Sequence, residues 1–116
     1  MVERAPDSIF IQTEIKFAFL NPAACKLFGI ESPDKLIGSP VMDRFHPDSH
    51  KKIKERIRRL NEERQAVTNL FEQKFIRVDG SEVWVESSGV PITYQEKNGA
   101  LVFVRDITQR KQAERI

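Results

Sequence analysis

The fold of this chain is decided by residues 79–110, which read DGSEVWVESSGVPITYQEKNGALVFVRDITQR. Two runs in this stretch, 83–94 and 100–104, are rich in β-branched and aromatic residues and predict two strands. We expect Lys97-Asn98-Gly99 to form the tight turn between them, because asparagine and glycine adopt positive φ angles easily. The apolar run ends after Val104, and the residues that follow are helix formers and capping residues. The last strand is therefore predicted to lead directly into a helix.

Further strands and helices are predicted upstream of this stretch. Asn21-Pro22 is a typical helix start, since the asparagine side chain caps free amides and proline has no amide to leave unpaired. Ile53, Ile57 and Leu60 are spaced at i, i+4 and i+7, which predicts the apolar stripe of one long helix. The predicted elements are strands at 8–13, 16–20 and 69–78 and helices at 22–28, 34–37 and 46–64. This order, with helices between two runs of strands, predicts an α+β fold with an antiparallel sheet.

Length and composition are those of one ordinary globular domain. The chain has 116 residues, and its net charge of +2 gives no reason to expect nucleic acid or an anionic membrane as a partner. Cys25 is the only cysteine, which excludes an internal disulfide and favours a reducing, cytoplasmic setting. No apolar run approaches the roughly 20 residues that span a bilayer, so we expect no direct membrane contact. Both ends are expected to continue into a longer protein.

Several short segments, taken together, resemble one family, the PAS sensory domains attached to bacterial and archaeal histidine kinases. In chain order they are 5-APDSI-9, 19-FLNPAA-24, 27-LFG-29, 36-LIG-38, 46-HPD-48, 79-DGS-81, 84-WV-85, 88-SGVPI-92 and 105-RDIT-108. The resemblance implies a five-stranded antiparallel sheet that curves around a small cavity, with helices packed on one face. The first turn departs from the family because it lacks the usual glycine.

The resemblance also implies a function. Residues 1–108 would be a non-catalytic sensory or dimerisation module, and residues 109–116 would begin a signalling helix that leads to an output domain. The parent protein would be a histidine kinase, and the input would be a small ligand or a conformational change in a neighbour. Asp106, Ile107 and Thr108 resemble the family's junction between last strand and output helix, where hydrogen bonds from the Asp and Thr fix the exit angle. We expect signal output at this junction.

The implied cavity lies between the long helix and the inner face of the sheet. Strand alternation places every second residue of 83–89 and of 100–104 on one face. The candidate lining residues are Phe28, Phe45, Ile53, Ile57, Val85, Ser87, Val102 and Val104. The strand residues among them are small, which is compatible with an open pocket or with a core that the larger side chains fill.

No cofactor is expected in this cavity. Haem would need a cavity-facing histidine, but His50 lies in the first turn of the long helix and His46 belongs to the family's His-Pro-Asp turn. Flavin-adduct chemistry would need a cysteine in a segment that is absent, and Cys25 lies on a different helix. A haem or flavin sensor thus ranks below the sensory module without a cofactor as a hypothesis for the function. A small α+β enzyme ranks third. Its candidate acid–base residues, Glu72, Tyr94 and the two histidines, share no spacing that would indicate a catalytic site.

The outer face of the sheet is predicted to be apolar as well. Trp84 alternates away from its valine neighbours, and Leu101 and Phe103 alternate away from Val102. A sheet with two apolar faces needs a cover on both of them. We therefore expect a homodimer through Trp84, Leu101 and Phe103, with a flanking helix of the parent protein as the alternative cover.

Overall fold

The computed structural model describes residues 7–114, which form one antiparallel sheet with helices against it. The strands are β1 (Ser8–Thr13), β2 (Lys16–Leu20), β3 (Val67–Ile76), β4 (Glu82–Tyr94) and β5 (Lys97–Asp106). The helices are α1 (Pro22–Phe28), α2 (His50–Asn61) and α3 (Thr108–Glu114), with single 3-10 turns at Pro33–Lys35, Val41–Arg44 and Pro47–Ser49. The spatial strand order is β2-β1-β5-β4-β3. The predicted α+β fold with five antiparallel strands is confirmed. Residues 5–6, which belong to the segments that resemble the family, and residues 115–116 of the predicted signalling helix lie outside the described residues.

The first hairpin turns at Glu14-Ile15, as predicted, although neither residue is glycine or asparagine. Both have positive φ angles, 55° and 64°, which side chains with a Cβ adopt at a cost. Tertiary contacts hold the turn, since the amide of Ile15 donates to Gln12 Oε1 at 3.1 Å and its carbonyl accepts from the amide of Val41 at 3.0 Å. These hydrogen bonds therefore stabilise a turn that lacks the residue types usually found in it.

The last hairpin corrects the sequence-based turn. Its two turn residues are Gln95 and Glu96, with φ angles of 50° and 66°, and Lys97-Asn98-Gly99 already belongs to β5. Gly99 is required for a different reason, because a Cβ at this position would lie 2.0 Å from the carbonyl oxygen of Gln12. The glycine therefore permits β1 and β5 to approach each other.

Helix α1 has the predicted bounds, whereas the helices predicted at 34–37 and 46–64 differ from the structure at both ends. Asn21 Oδ1 accepts hydrogen bonds from the amides of Ala24 and Ile9, so this cap also ties α1 to β1. The long helix is shorter than predicted, because a 3-10 turn precedes His50 and the helix ends at Asn61. Arg64 then adopts a positive φ of 55° and directs the chain into β3. The predicted helix at 34–37 is only a 3-10 turn at Pro33–Lys35, and the predicted strand at 69–78 lies at Val67–Ile76.

The core lies between the inner face of the sheet and helices α1 and α2. Its centre is a continuous cluster of aromatic rings with centroid separations of 5.1 to 6.3 Å, formed by Phe10, Phe17, Phe28, Phe45 and Phe75. Contacts of this kind add to the free energy of apolar burial. No helix within residues 7–114 is long and apolar enough to cross a membrane.

The close approach at Gly99 yields a stability prediction. Gly99→Ala places a methyl group against the β1 backbone, and we expect the free energy of unfolding to fall by about 1–3 kcal/mol or more, as measured by urea denaturation. The matched control is Asn98→Ala at the neighbouring exposed position, which we expect to change stability by no more than about 0.5 kcal/mol. Equal stability of the two variants would contradict the packing argument.

Candidate functional site

A small cavity of about 40 Å³ lies between α2 and the inner face of the sheet. Five of the predicted lining residues surround it: Phe45, Ile53, Ile57, Ser87 and Val102. The other three, Phe28, Val85 and Val104, are buried in the packed core and do not line it. The cavity therefore occupies only the α2 end of the inner face, because the phenylalanine cluster fills the rest.

Four polar residues that sequence reasoning missed also line the cavity: Gln12, Arg56, Gln73 and Ser88. Gln73 is 3% exposed, and its Nε2 donates to Ser87 Oγ at 3.3 Å. Its Oε1 has no hydrogen-bond partner among the residues that the structure describes. Arg56, on α2, donates from Nη2 to the carbonyl oxygens of Asn69 and Ser87, at 3.1 and 3.3 Å. Burial lowers the pKa of the Arg56 guanidinium below its usual value. In the sequence, only the alternation of side chains along the strand could have placed Gln73 on the inner face. Nothing in the predicted strand at 69–78 distinguished Gln73 from its neighbours.

The residues considered for cofactors lie elsewhere. His50 Nε2 is 2.8 Å from the carbonyl oxygen of Phe45, and His46 Nδ1 accepts from the amide of Asp48. Cys25 is buried in α1, where desolvation raises the pKa of its thiol. None of these side chains lines the cavity. Within residues 7–114, no group of three or more His, Cys, Asp or Glu side chains is arranged to hold a metal ion.

The junction at Asp106-Ile107-Thr108 is tied to the sheet on both sides. Asp106 Oδ1 accepts from the amide of Thr108 at 2.8 Å and from its hydroxyl at 2.5 Å, so the carboxylate caps the start of α3. Ile107 is buried, and its amide donates to the carbonyl oxygen of Trp84 at 3.0 Å. The exit direction of α3 is therefore set by one cap, one buried side chain and one backbone bond to β4.

Charged side chains hold α3 against the outer face of the sheet. Arg110 Nη2 lies 2.8 Å from a carboxylate oxygen of both Glu72 and Glu86, and Lys111 Nζ lies 2.6 Å from Glu72. The hydrogen bond from Lys111 lowers the pKa of Glu72 below its usual value. No residue of α3 is buried. The helix is thus docked by ion pairs without an apolar contact face.

Trp84, predicted as part of a dimer face, already has a cover. The ammonium of Lys111 lies 4.5 Å from its ring centroid, and that of Lys74 lies 5.2 Å away. Both distances are within the range of cation–π contacts. Leu101 is half-buried and Phe103 is 37% exposed, and both lie farther along the sheet, where they pair with Ile11 and Ile9 of β1. The structure therefore separates Trp84 from the two β5 residues.

Comparison with known proteins agrees with this geometry. Residues 1–107 match the family model described as the PAS fold. This chain is a PAS domain. Among solved structures, the PAS domain of a Colwellia psychrerythraea protein is similar, with a TM-score of 0.73 and 27% identity, and the match covers 90% of this chain and 88% of that one.

Curated relatives of this PAS domain are much longer proteins. Sporulation kinase A of Bacillus subtilis (strain 168) is 27% identical over 116 residues, which is all of this chain and 19% of the kinase. The C4-dicarboxylate transport sensor protein DctS of Rhodobacter capsulatus is 35% identical over 103 residues, which is 87% of this chain and 16% of that protein. The PAS domain therefore spans less than a fifth of either relative, and it is similar to one segment of a kinase and one segment of a sensor protein.

The ion pairs of α3 yield a prediction that the single tryptophan reports. In the double variant Glu72→Gln, Glu86→Gln, we expect α3 to leave the sheet and the emission maximum of Trp84 to move to longer wavelength, because the ring loses the cover of Lys111. Raising the salt concentration in the wild type should move the emission in the same direction, since salt screens exposed ion pairs.

The matched control uses a second arginine that is bound by two glutamates. Arg58 on α2 pairs with Glu55 and Glu63. Glu55→Gln, Glu63→Gln removes the same number of charges away from Trp84 and should leave the emission unchanged. An unchanged spectrum in the Glu72, Glu86 variant would show that these ion pairs do not dock α3.

Proposed function

We propose that this PAS domain is the sensory and relay module of a histidine kinase, and that it passes a change in its cavity to the following domain through α3. The observation that carries the proposal is the contrast at the junction. Ile107 is buried in the domain, whereas the helix that starts one residue later is docked only through charged side chains. A buried anchor followed by a weakly held helix can transmit a small displacement of the sheet.

The proposed output is a shift between docked and released α3. Exposed ion pairs each contribute about 0–1 kcal/mol, so the pairs of Glu72 with Arg110 and Lys111 hold α3 weakly, and we propose that the two states are close in free energy. A stimulus needs only a similar difference in interaction energy between the states to change their populations. Glu86, whose side chain is 7% exposed, is the most buried member of the set, and it lies on the strand that lines the cavity.

We propose that the input is a small molecule in the cavity or a conformational change passed on by a neighbouring domain. Pockets that hold drug-sized ligands measure about 300–1,000 Å³, so a volume of about 40 Å³ argues against haem and flavin. The scattered positions of Glu72, Tyr94 and the histidines give no support to an enzyme within this domain. The kinase reaction is assigned to another part of the parent protein.

A second copy of the chain is the proposed partner, bound through an outer patch. The patch consists of apolar side chains on the outer faces of β1, β2, β3 and β5: Ile9, Ile11, Phe19, Leu70, Leu101 and Phe103. Leu70 is 64% exposed and Phe19 is 38% exposed. Several exposed apolar side chains on one face of a sheet are typical of a surface that binds another protein. This proposal shifts the dimer contact away from Trp84. Neither nucleic acid nor a membrane is proposed as a partner.

We further propose a cytoplasmic setting for the domain. The support is the buried free thiol of Cys25, because unpaired cysteines persist in reducing compartments.

The junction is tested by Asp106→Ala in the kinase that contains this domain. We expect autophosphorylation to change several-fold, because the cap that fixes the direction of α3 is lost, while the isolated domain still unfolds cooperatively. Asp79→Ala is the matched control, since Asp79 Oδ1 accepts from the amide and hydroxyl of Ser81 in the same way. If both variants signal like the wild type, Asp106 has no role in output.

The outer patch is tested by sedimentation of Phe103→Glu beside the wild type. We expect the wild type to be dimeric at high micromolar concentration and Phe103→Glu to be monomeric, because a buried unpaired carboxylate opposes association. Val78→Glu, in the exposed turn after β3, should remain dimeric. A monomeric wild type would reject the homodimer and favour a flanking segment of the parent protein as the cover.

A further inference from the structure

We propose that the cavity binds a short hydroxy acid, with its carboxylate on Arg56 and its hydroxyl on the amide of Gln73. The inference rests on the proposed sensory function and names the ligand class of that same cavity. Three steps lead to it: an unsatisfied amide, a guanidinium without a counter-charge, and a spacing that suits one small molecule.

The first step is the amide of Gln73. Its Nε2 donates to Ser87 Oγ, and its Oε1 is without a partner although the residue is 3% exposed. Turning the amide by 180° does not remove the deficit, because the serine hydroxyl can also donate, and Nε2 is then left unpaired. A buried polar atom without a partner lowers the stability of the fold. A ligand group that can both donate and accept would pair with whichever atom of the amide, Oε1 or Nε2, is left over. A hydroxyl is the smallest organic group that does both.

The second step is the guanidinium of Arg56. It is half-buried and lies 5.0 Å from the ring centroid of Phe71. Its two hydrogen bonds, both from Nη2, go to neutral carbonyl oxygens. Among residues 7–114, no carboxylate forms an ion pair with it, in contrast to Arg58, two residues later on the same helix, which pairs with Glu55 and Glu63. A half-buried arginine with free donors is a natural partner for a carboxylate, which it can bind through two parallel hydrogen bonds.

The third step is the position of Arg56 relative to Gln73 and the size of the cavity that both residues line. Ser87 accepts from Arg56 through its carbonyl oxygen and from Gln73 through its hydroxyl, so both groups adjoin one residue. The cavity of about 40 Å³ is roughly the space of three water-sized atoms. A three-carbon hydroxy acid has three non-hydrogen atoms beyond its carboxylate: the carbinol carbon, the hydroxyl oxygen and a methyl carbon. The methyl group would contact the apolar walls at Ile53, Ile57 and Val102.

Two further polar residues, Gln12 and Ser88, line the cavity and are assigned no ligand group. Ser88 also lines a pocket on the opposite face of β4, together with Glu86 and Phe103. Gln12 exchanges two side-chain hydrogen bonds with Asn61, and its Oε1 also accepts from the amide of Ile15. Both of its polar atoms are thus satisfied within the fold. Gln73 has a buried oxygen without a partner among the described residues, and Arg56 has donors beyond its two bonds from Nη2, so the ligand is assigned one group for each of them.

The test is a calorimetric titration of the protein with three matched probes. Lactate, as each enantiomer, has the carboxylate, hydroxyl and methyl; propanoate lacks the hydroxyl, and 1,2-propanediol lacks the carboxylate. We expect one lactate enantiomer to bind at least about tenfold more tightly than either other probe, because charge-assisted and buried hydrogen bonds are each lost in turn. Equal or tighter binding of propanediol or propanoate overturns the ligand class, and so does the absence of lactate binding at millimolar concentration.

Variants locate the site. Arg56→Gln should weaken lactate binding by about tenfold or more, while Arg59→Gln, at an exposed position on the same helix, should not change it. Gln73→Leu should remove the preference for lactate over propanoate, and its urea unfolding shows whether the fold is intact. Lactate binding that survives Arg56→Gln overturns the site. These outcomes are separate from the proposed relay, which the Asp106→Ala kinase experiment tests without any ligand.

Discussion

The position of β5 at the centre of the sheet is the constraint on which the rest of the domain depends. β5 pairs with β1 along one edge and with β4 along the other, and the absence of a side chain at Gly99 permits its close approach to β1 at one end of the strand. The last strand of the chain therefore joins the β1–β2 half of the sheet to the β3–β4 half. β5 ends at Asp106, whose carboxylate caps α3, so the pairing of this central strand positions the start of the helix.

The inner face of the sheet is divided into two parts with different roles. One part is filled by the five stacked and edge-packed phenylalanine rings, and three of these rings, Phe10, Phe45 and Phe75, also form a wall of the cavity. The other part, under α2, contains the cavity together with the polar side chains of Arg56, Gln73 and Ser87. The phenylalanine part packs against β1 and α1, and the part with the cavity adjoins β4, the strand whose outer face binds Arg110. The proposed input and the proposed output therefore lie on two faces of the same strand.

Much of the fold could be predicted from the sequence, because caps and alternation are local signals. The start of α1 at Asn21-Pro22 and the strands β1 and β2 are found where the residues place them. The last turn was predicted at the wrong position because Asn-Gly is typical of tight turns. In the structure, Gly99 lies in β5, where its missing side chain permits the close approach of β1. This contact is non-local, so the local sequence does not indicate it. Alternation correctly gave Trp84 an outward direction, but it contained no information on what covers the ring. That cover comes from Lys111, whose position depends on ion pairs with Glu72 and Glu86.

The way in which α3 is held has a consequence for how such domains diversify. The charged contacts of α3 lie on the outer face of the sheet, so substitutions among them leave the phenylalanine core on the inner face unchanged. In the proposed relay, the balance between docked and released helix is thus adjustable independently of what the cavity recognises. On this proposal, a lineage can reset the threshold of a receptor while its specificity stays fixed, or change its specificity while the threshold stays fixed.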